Sequence, residues 1–210
     1  MGKEKELIVA ISKGRVFNSV NSILKKSDFS IKDLGVRTRK ILISSNSSKI
    51  KYLLVRGWDI PAFVDSGAAQ LGILGKDIIL ERENYDFAEV ADLQIGTCRL
   101  SVAGKNKEIL KKPKLRVATR YVNSAKIYIE SLGIQPEIIE LLGSHEIAPD
   151  MNLSDLIIDL VETGKTLEEN NLKELEVIRN ISTRLIANKA SLVTKKDLIN
   201  QFKRDLLSRA

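Results

Sequence analysis

Short apolar runs bounded by polar loops alternate along this chain with segments whose apolar residues recur every three or four positions. Leu7-Ile8-Val9-Ala10-Ile11 is continuous enough for a strand buried on both faces. The polar loop Ser12-Lys13-Gly14-Arg15 follows, and then Phe17, Val20, Ile23 and Leu24 mark one helical face. The theme returns at Leu115-Arg116-Val117-Ala118-Thr119, followed by the loop Arg120-Tyr121-Val122-Asn123. Next comes a helix carrying Ala125, Ile127, Tyr128, Ile129 and Leu132, closed by Gly133. Strand alternating with helix predicts an α/β chain with a mainly parallel sheet.

A second pair of segments corresponds in the same way. Residues 68–77 read as helix end, short strand, glycine loop and helix start, and so do residues 154–166. Two similar α/β lobes facing a central cleft are therefore expected, with ligand where the loops at the strand C-termini converge. The crossing points are expected near Gln94-Ile95-Gly96 and Asn180-Ile181, making residues 1–95 plus 181–210 one lobe and 96–180 the other. In the closing segment, Arg184-Leu185-Ile186-Ala187 reads as a strand. Lys195 to Leu207 reads as a helix with Leu198, Ile199, Phe202, Leu206 and Leu207 on its apolar side. Gly104 to Pro113 reads as a lysine-rich surface loop.

Composition narrows the chemistry. The 210 residues suffice for one large or two small domains, and 43% hydrophobic content supports a core. No apolar run reaches membrane-spanning length, and the charged start Met1-Gly2-Lys3-Glu4-Lys5-Glu6 is not a signal peptide, so a cytoplasmic location is expected. One cysteine, Cys98, excludes an internal disulfide. One histidine, His145, excludes His-pair zinc sites; without an orienting motif beside it, it is expected at the surface or in a loop rather than in catalysis. Residues 1–60 carry 13 Lys/Arg against 5 Asp/Glu, a balance of +8, whereas the remainder carries 21 against 22. Such a basic half suits a polyanionic ligand. Aromatics are 5% of residues and form no stacking pattern, which favours a small phosphorylated substrate over nucleic acid.

The candidate for holding that substrate is Asp159-Leu160-Val161-Glu162-Thr163-Gly164-Lys165-Thr166, after the apolar run Leu156-Ile157-Ile158. A strand stops, a small polar loop follows, and a helix begins. Backbone N–H groups of Thr163 to Thr166 would point outward as an anion site. A P-loop would need glycine at position 159, where Asp159 stands, so that pattern fails. Asp159 and Glu162 would repel a bare phosphate but suit a ligand that also presents hydroxyls or a metal, as a sugar phosphate does. The plain alternative is a turn before a helix. Cations also stand at strand ends: Lys13 and Arg15 after the first strand, Arg39-Lys40 before Ile41-Leu42-Ile43, and Arg56 after Tyr52-Leu53-Leu54-Val55. Each is either a surface charge or a phosphate ligand.

In order along the chain, several stretches resemble the catalytic subunit of ATP phosphoribosyltransferase. They are Ala10–Arg15; Arg39-Lys40; Leu54-Val55-Arg56 with Asp59-Ile60-Pro61; Gly72-Ile73 with Gly75-Lys76-Asp77; residues 116–123; Gly143-Ser144 with Glu146 and Ala148-Pro149; Asp159–Leu167; and Ser182–Asn188. The resemblance implies a two-lobed, periplasmic-binding-protein-like fold, the type IV phosphoribosyltransferase arrangement. It implies joining N1 of the ATP adenine to C1 of phosphoribosyl pyrophosphate with release of pyrophosphate, the first step of histidine biosynthesis, with Mg²⁺ as cofactor. By the same resemblance, Thr163, Gly164, Lys165 and Thr166 cradle the 5-phosphate, and Asp159 and Glu162 lie where ribose hydroxyls or Mg²⁺ would be held. Arg15 and Glu146 bind substrate, and Lys13, Arg39 and Arg56 offset charge on the departing pyrophosphate; Lys165 itself occupies a variable position. Gln70 departs from the family, which has an acidic residue there. A length of 210 residues matches the short form, which works as a homodimer and associates with a separate regulatory subunit resembling histidyl-tRNA synthetase. The reading of a different class is a non-catalytic two-lobed ligand-binding module, which would lack the acidic Thr-Gly-x-Thr loop.

Overall fold

The computed structural model describes residues 6–25, 27–31, 40–47 and 49–208. It divides into two compact units, Met1–Gly96 with Ser182–Ala210, and Thr97–Ile181. Each is an α/β unit built around its own sheet.

The first sheet contains β1 (Leu7–Ser12), β2 (Leu42–Ser44), β3 (Ile50–Val55), β4 (Leu71–Gly75), β5 (Ala88–Asp92) and β11 (Thr183–Ala187), in the order β2-β3-β1-β4-β11-β5. Only β3-β1-β4 are parallel; β2, β11 and β5 pair antiparallel to their neighbours. The second sheet contains β6 (Cys98–Gly104), β7 (Lys114–Thr119), β8 (Gln135–Glu140), β9 (Leu156–Val161) and β10 (Lys173–Ile181), in the order β10-β6-β9-β7-β8. Here β8-β7-β9 are parallel and the β9-β6 and β6-β10 pairs antiparallel. The sheets are therefore mixed rather than mainly parallel. β10, in the second sheet, runs into β11, in the first, across Ser182 alone.

Leaving β2 aside, the two orders coincide strand for strand: β3-β1-β4-β11-β5 against β8-β7-β9-β6-β10. In both units the central parallel strand is followed by a ten-residue helix, α1 (Arg15–Leu24) after β1 and α4 (Val122–Ser131) after β7. The next parallel strand runs into a short helix, α3 (Lys76–Glu81) after β4 and α5 (Lys165–Glu169) after β9. The similarity of the halves is thus one of topology. It has a limit at β4, which passes into α3 with no intervening loop. Residues 107–111, expected as plain loop, form a 3-10 turn.

In the first unit α1 buries Val20 and Leu24 against β1, as the spacing requires. The closing helix α7 (Lys196–Leu207) lays Ile199, Phe202 and Leu206 into the same core, while Leu207 at the end of its stripe is 41% exposed. The fully buried Phe202 ring meets Phe29 edge-on, with centroids 5.6 Å apart, and lies 6.5 Å from Tyr52. The Tyr52 hydroxyl, buried with its ring, donates to the Phe29 carbonyl at 2.6 Å. A helix the periodicity did not signal, α6 (Lys189–Thr194), precedes α7. Asn188 caps it, accepting from the Ser191 N–H at 3.0 Å while its amide donates to the Val64 carbonyl of α2 (Ile60–Asp65). Gln70 also has a structural role: its Oε1 accepts from the Ile8 N–H at 2.9 Å and its Nε2 donates to the Gly67 carbonyl at 3.0 Å. A carboxylate here could supply only the first of these bonds.

Phe202→Ala removes a ring from a closed cluster and leaves a cavity. It should cost about 3–5 kcal/mol, read from urea denaturation, and a loss below about 1 kcal/mol would show that α7 is dispensable to this core.

Candidate functional site

Two strand-end clusters carry the residues singled out from the sequence, one in each unit. In the first, β1 and β3 run in parallel register from Leu7 opposite Ile50 to Ser12 opposite Val55, so both strands stop at the same level. The Lys13 N–H bonds the Val55 carbonyl at 3.3 Å, and this brings Lys13 beside Arg56, the first residue after β3. Both side chains are exposed, as is Arg15 at the first turn of α1. Gly14 turns the chain with φ +87° and ψ −133°, a region that side-chain-bearing residues avoid, and a Cβ built there meets nothing within 4 Å. Backbone and two cations are thus open to an anion. Arg39 lies outside the described residues.

In the second unit β7 and β8 end together, with Thr119 registered opposite Glu140 and Ile158, while β9 runs on to Val161 against β6. The loop Glu162-Thr163-Gly164 leads from β9 into α5, and Glu162, Thr163, Lys165 and Thr166 are exposed. Gly164 adopts φ +84° with nothing near a hypothetical Cβ, so backbone conformation and not crowding selects glycine. Helix α5 is only five residues long. An anion here would be held by individual N–H groups and the Thr163 and Thr166 hydroxyls more than by a helix dipole.

Asp159 sits three residues before this loop, and its carboxylate is engaged within the chain. Oδ1 accepts from the Leu160 N–H at 2.8 Å and Oδ2 pairs with Nδ1 of His145 at 2.7 Å. His145 is therefore not the surface residue expected. Ser144, at φ +55° and ψ 39°, turns the chain in a left-handed step that sends His145 inward, where it is 4% exposed. Its second nitrogen, Nε2, lies 3.0 Å from the Leu141 carbonyl, which can only accept. With protons on both ring nitrogens the pair would be an imidazolium against a carboxylate. The hydrogen bond to Asp159 is the largest cause holding the His145 pKa above its ordinary value; the Leu141 bond and the nearby charges of Asp159 and Glu146 add to it, and burial opposes it. The sequence held no local signal for this pair, since its partners are 14 residues apart and meet through the turn at Ser144. Glu146 is half-buried beside His145. Among the described residues, no group of three or more His, Cys, Asp or Glu side chains is arranged to hold a metal, and no helix is long and apolar enough to cross a membrane.

Comparison with known proteins identifies the setting in which these clusters occur. A family profile described as HisG, ATP phosphoribosyltransferase, matches residues 56–208. The ATP phosphoribosyltransferase of Brachyspira hyodysenteriae is 45% identical over 194 residues, covering 91% of this chain and 93% of its own. That of Ruthia magnifica is 41% identical over 196 residues, covering 93% and 96%. Among solved structures, the ATP phosphoribosyl transferase (HisG:HisZ) complex from Thermotoga maritima superposes with a TM-score of 0.82 at 35% identity, covering 96% of this chain and 97% of that one. The periplasmic aliphatic sulphonate binding protein SsuA from Escherichia coli, at 14% identity and a TM-score of 0.59, covers 98% of this chain and 70% of that one and shares the fold alone.

The sign of the His145 shift is testable because the chain has one histidine. A raised folded-state pKa means the pair's stabilisation is complete below about pH 6.5, the unfolded value. It is lost as pH climbs through the higher folded value. The imidazole Cε1–H signal, followed by NMR against pH, should titrate with its midpoint above about 6.5; a midpoint below it would show a neutral ring and a different hydrogen-bond scheme.

Proposed function

The chain belongs to the ATP phosphoribosyltransferase family, and on that premise we propose that it joins N1 of the ATP adenine to C1 of phosphoribosyl pyrophosphate, releasing pyrophosphate, as the opening step of histidine biosynthesis. The observation that carries the reading is identity of 41–45% to ATP phosphoribosyltransferases across more than nine-tenths of the chain. It spans the strand–loop–helix at Glu162–Thr166.

In this reading the N–H groups and hydroxyls of Thr163 to Thr166 bind the 5-phosphate, with Gly164 shaping the turn. Glu162, exposed at the start of the loop, faces the ribose hydroxyls. The reaction breaks the bond from C1 to the pyrophosphate oxygen and forms a bond from adenine N1 to C1. Positive character grows on the anomeric carbon while negative charge grows on the departing pyrophosphate. Lys13 and Arg56 are a preassembled pair of cations suited to the second change, and their contribution rises as the charge develops. Arg39 is assigned the same task, and Arg15 and Glu146 are assigned to substrate binding, on the family resemblance. No general base is required, because adenine N1 attacks through a lone pair it already carries.

Magnesium fits this arrangement as a companion of the pyrophosphate. The described residues offer no three-membered acidic cluster, so most ligands would be phosphate oxygens and water, with Glu162 as a protein contributor. When bound, the ion neutralises pyrophosphate charge. The protein is further assigned to the cytoplasm and to a homodimer. Because the Thermotoga maritima neighbour is a HisG:HisZ complex, it is also assigned to a hetero-oligomer with a HisZ-type regulatory subunit resembling histidyl-tRNA synthetase.

Incubation with ATP, phosphoribosyl pyrophosphate and Mg²⁺ should yield the phosphoribosyl-ATP adduct by mass spectrometry. An adduct on another base with none on ATP would redirect the assignment to a different acceptor, and no adduct from any base would remove it. Arg56→Ala should lower kcat by roughly 10²–10³-fold, more than it raises KM for ATP. A rate within a factor of two of the parent enzyme would show Arg56 to be a surface charge.

A further inference from the structure

His145 takes no part in the chemistry above, yet it is bonded at both ring nitrogens beneath the phosphate loop. The surrounding bonds form a closed ring. His145 reaches the Leu141 carbonyl at 3.0 Å, and the Leu141 N–H donates to the Thr119 carbonyl at 3.0 Å. The Thr119 hydroxyl donates to the Ile158 carbonyl at 2.6 Å. Asp159, next along β9, returns the ring to His145 at 2.7 Å while its other oxygen holds the Leu160 N–H. The ring joins the ends of β8 and β7 to the last part of β9, at the level where β7–β9 pairing stops and β9 runs on beside β6 alone. Thr119 Oγ1 also accepts from the Tyr121 N–H at 2.9 Å.

We propose that His145 is a positioning residue for the phosphoribosyl pyrophosphate loop, closing a ring of hydrogen bonds that fixes the end of β9 and so aims Glu162–Thr166 at the donor's 5-phosphate. The inference rests on the loop assignment made above. Beyond β7 the last backbone groups of β9 have no strand neighbour on that side, and the ring replaces it. Asp159 acts in this arrangement through the strand end, as the acceptor His145 holds. The loop beyond it begins at Glu162, immediately after β9 ends at Val161. Its aim therefore depends on where the strand delivers it.

The test separates donor from acceptor. His145→Leu removes both bonds while keeping an apolar side chain in the pocket. It should raise KM for phosphoribosyl pyrophosphate roughly tenfold, since small misplacements of a binding group are costly, and leave KM for ATP within about twofold. His145→Gln, whose amide NH₂ has two protons to donate, should recover most of the loss. Folded His145→Leu protein with parental donor KM would overturn the proposal. So would a joint rise in both KM values with lowered thermal stability, or failure of Gln to recover anything. If His145→Leu does not fold, the parent protein decides by NMR. Saturating donor with Mg²⁺ should shift the imidazole signal and ATP alone should not; an unmoved signal overturns the proposal. Thr166→Ala is the control for the loop itself. Unchanged donor KM in that variant would remove the loop assignment and this inference with it, whereas weakened donor binding there beside a normal His145→Leu would remove only the role of His145.

Discussion

A parallel strand that stops leaves backbone groups without a neighbour, and those groups must be satisfied by something other than sheet. Both units face that requirement at the C-terminal edge of a parallel trio, and both meet it with the residues assigned to function. In the first, the Lys13 N–H reaches across to the Val55 carbonyl, which sets Lys13 beside Arg56. In the second, Thr119, Leu141, His145 and Asp159 take over where β7 and β8 end. Strand termination gathers these side chains: β1 and β3 stop together in the first unit, and β7 and β8 stop together in the second while β9 runs on to Val161.

The shared topology explains why each unit presents its site on the same edge. A central parallel strand feeds a ten-residue helix, and the adjacent strand feeds a short one. The difference lies in how the adjacent strand ends. β4 enters α3 directly, whereas β9 is separated from α5 by Glu162-Thr163-Gly164. Three residues with a left-handed glycine convert a tight strand–helix junction into an exposed polar loop. The first unit instead places exposed backbone at Gly14, in the turn after β1, with Lys13 and Arg56 beside it. One framework thus carries a glycine-turned loop in one unit and a cationic edge in the other.

Much of this was legible from periodicity. The apolar runs at 7–11, 115–119 and 156–158 lie in β1, β7 and β9, and the three-to-four spacing of Val20 and Leu24, or of Phe202 and Leu206, marks faces that are buried. Strand direction is not written in local spacing: β11, read as a strand under a mainly parallel expectation, is antiparallel, and the antiparallel β5, β6 and β10 were not singled out. The pattern on α4 overstates its core face: Ala125 and Ile129 are buried, while Ile127 is 64% exposed. The strand–loop–helix at residues 156–169 could be read because its pattern is contiguous. His145 could not, because its burial depends on a non-glycine left-handed turn and on a partner strand that only folding brings beside it. Gln70 looked like an unexplained departure, and its bonds to Ile8 and Gly67 need both an acceptor and a donor.

The central claim is that the loop after β9 is where the sugar phosphate is held, and a crystal structure with phosphoribosyl pyrophosphate and Mg²⁺ addresses it most directly. The account predicts 5-phosphate oxygens within about 3 Å of the backbone nitrogens of residues 163–166 and of the Thr166 hydroxyl, with the His145–Asp159 bond intact beneath. A donor bound with its 5-phosphate elsewhere, and this loop facing only solvent, would contradict it.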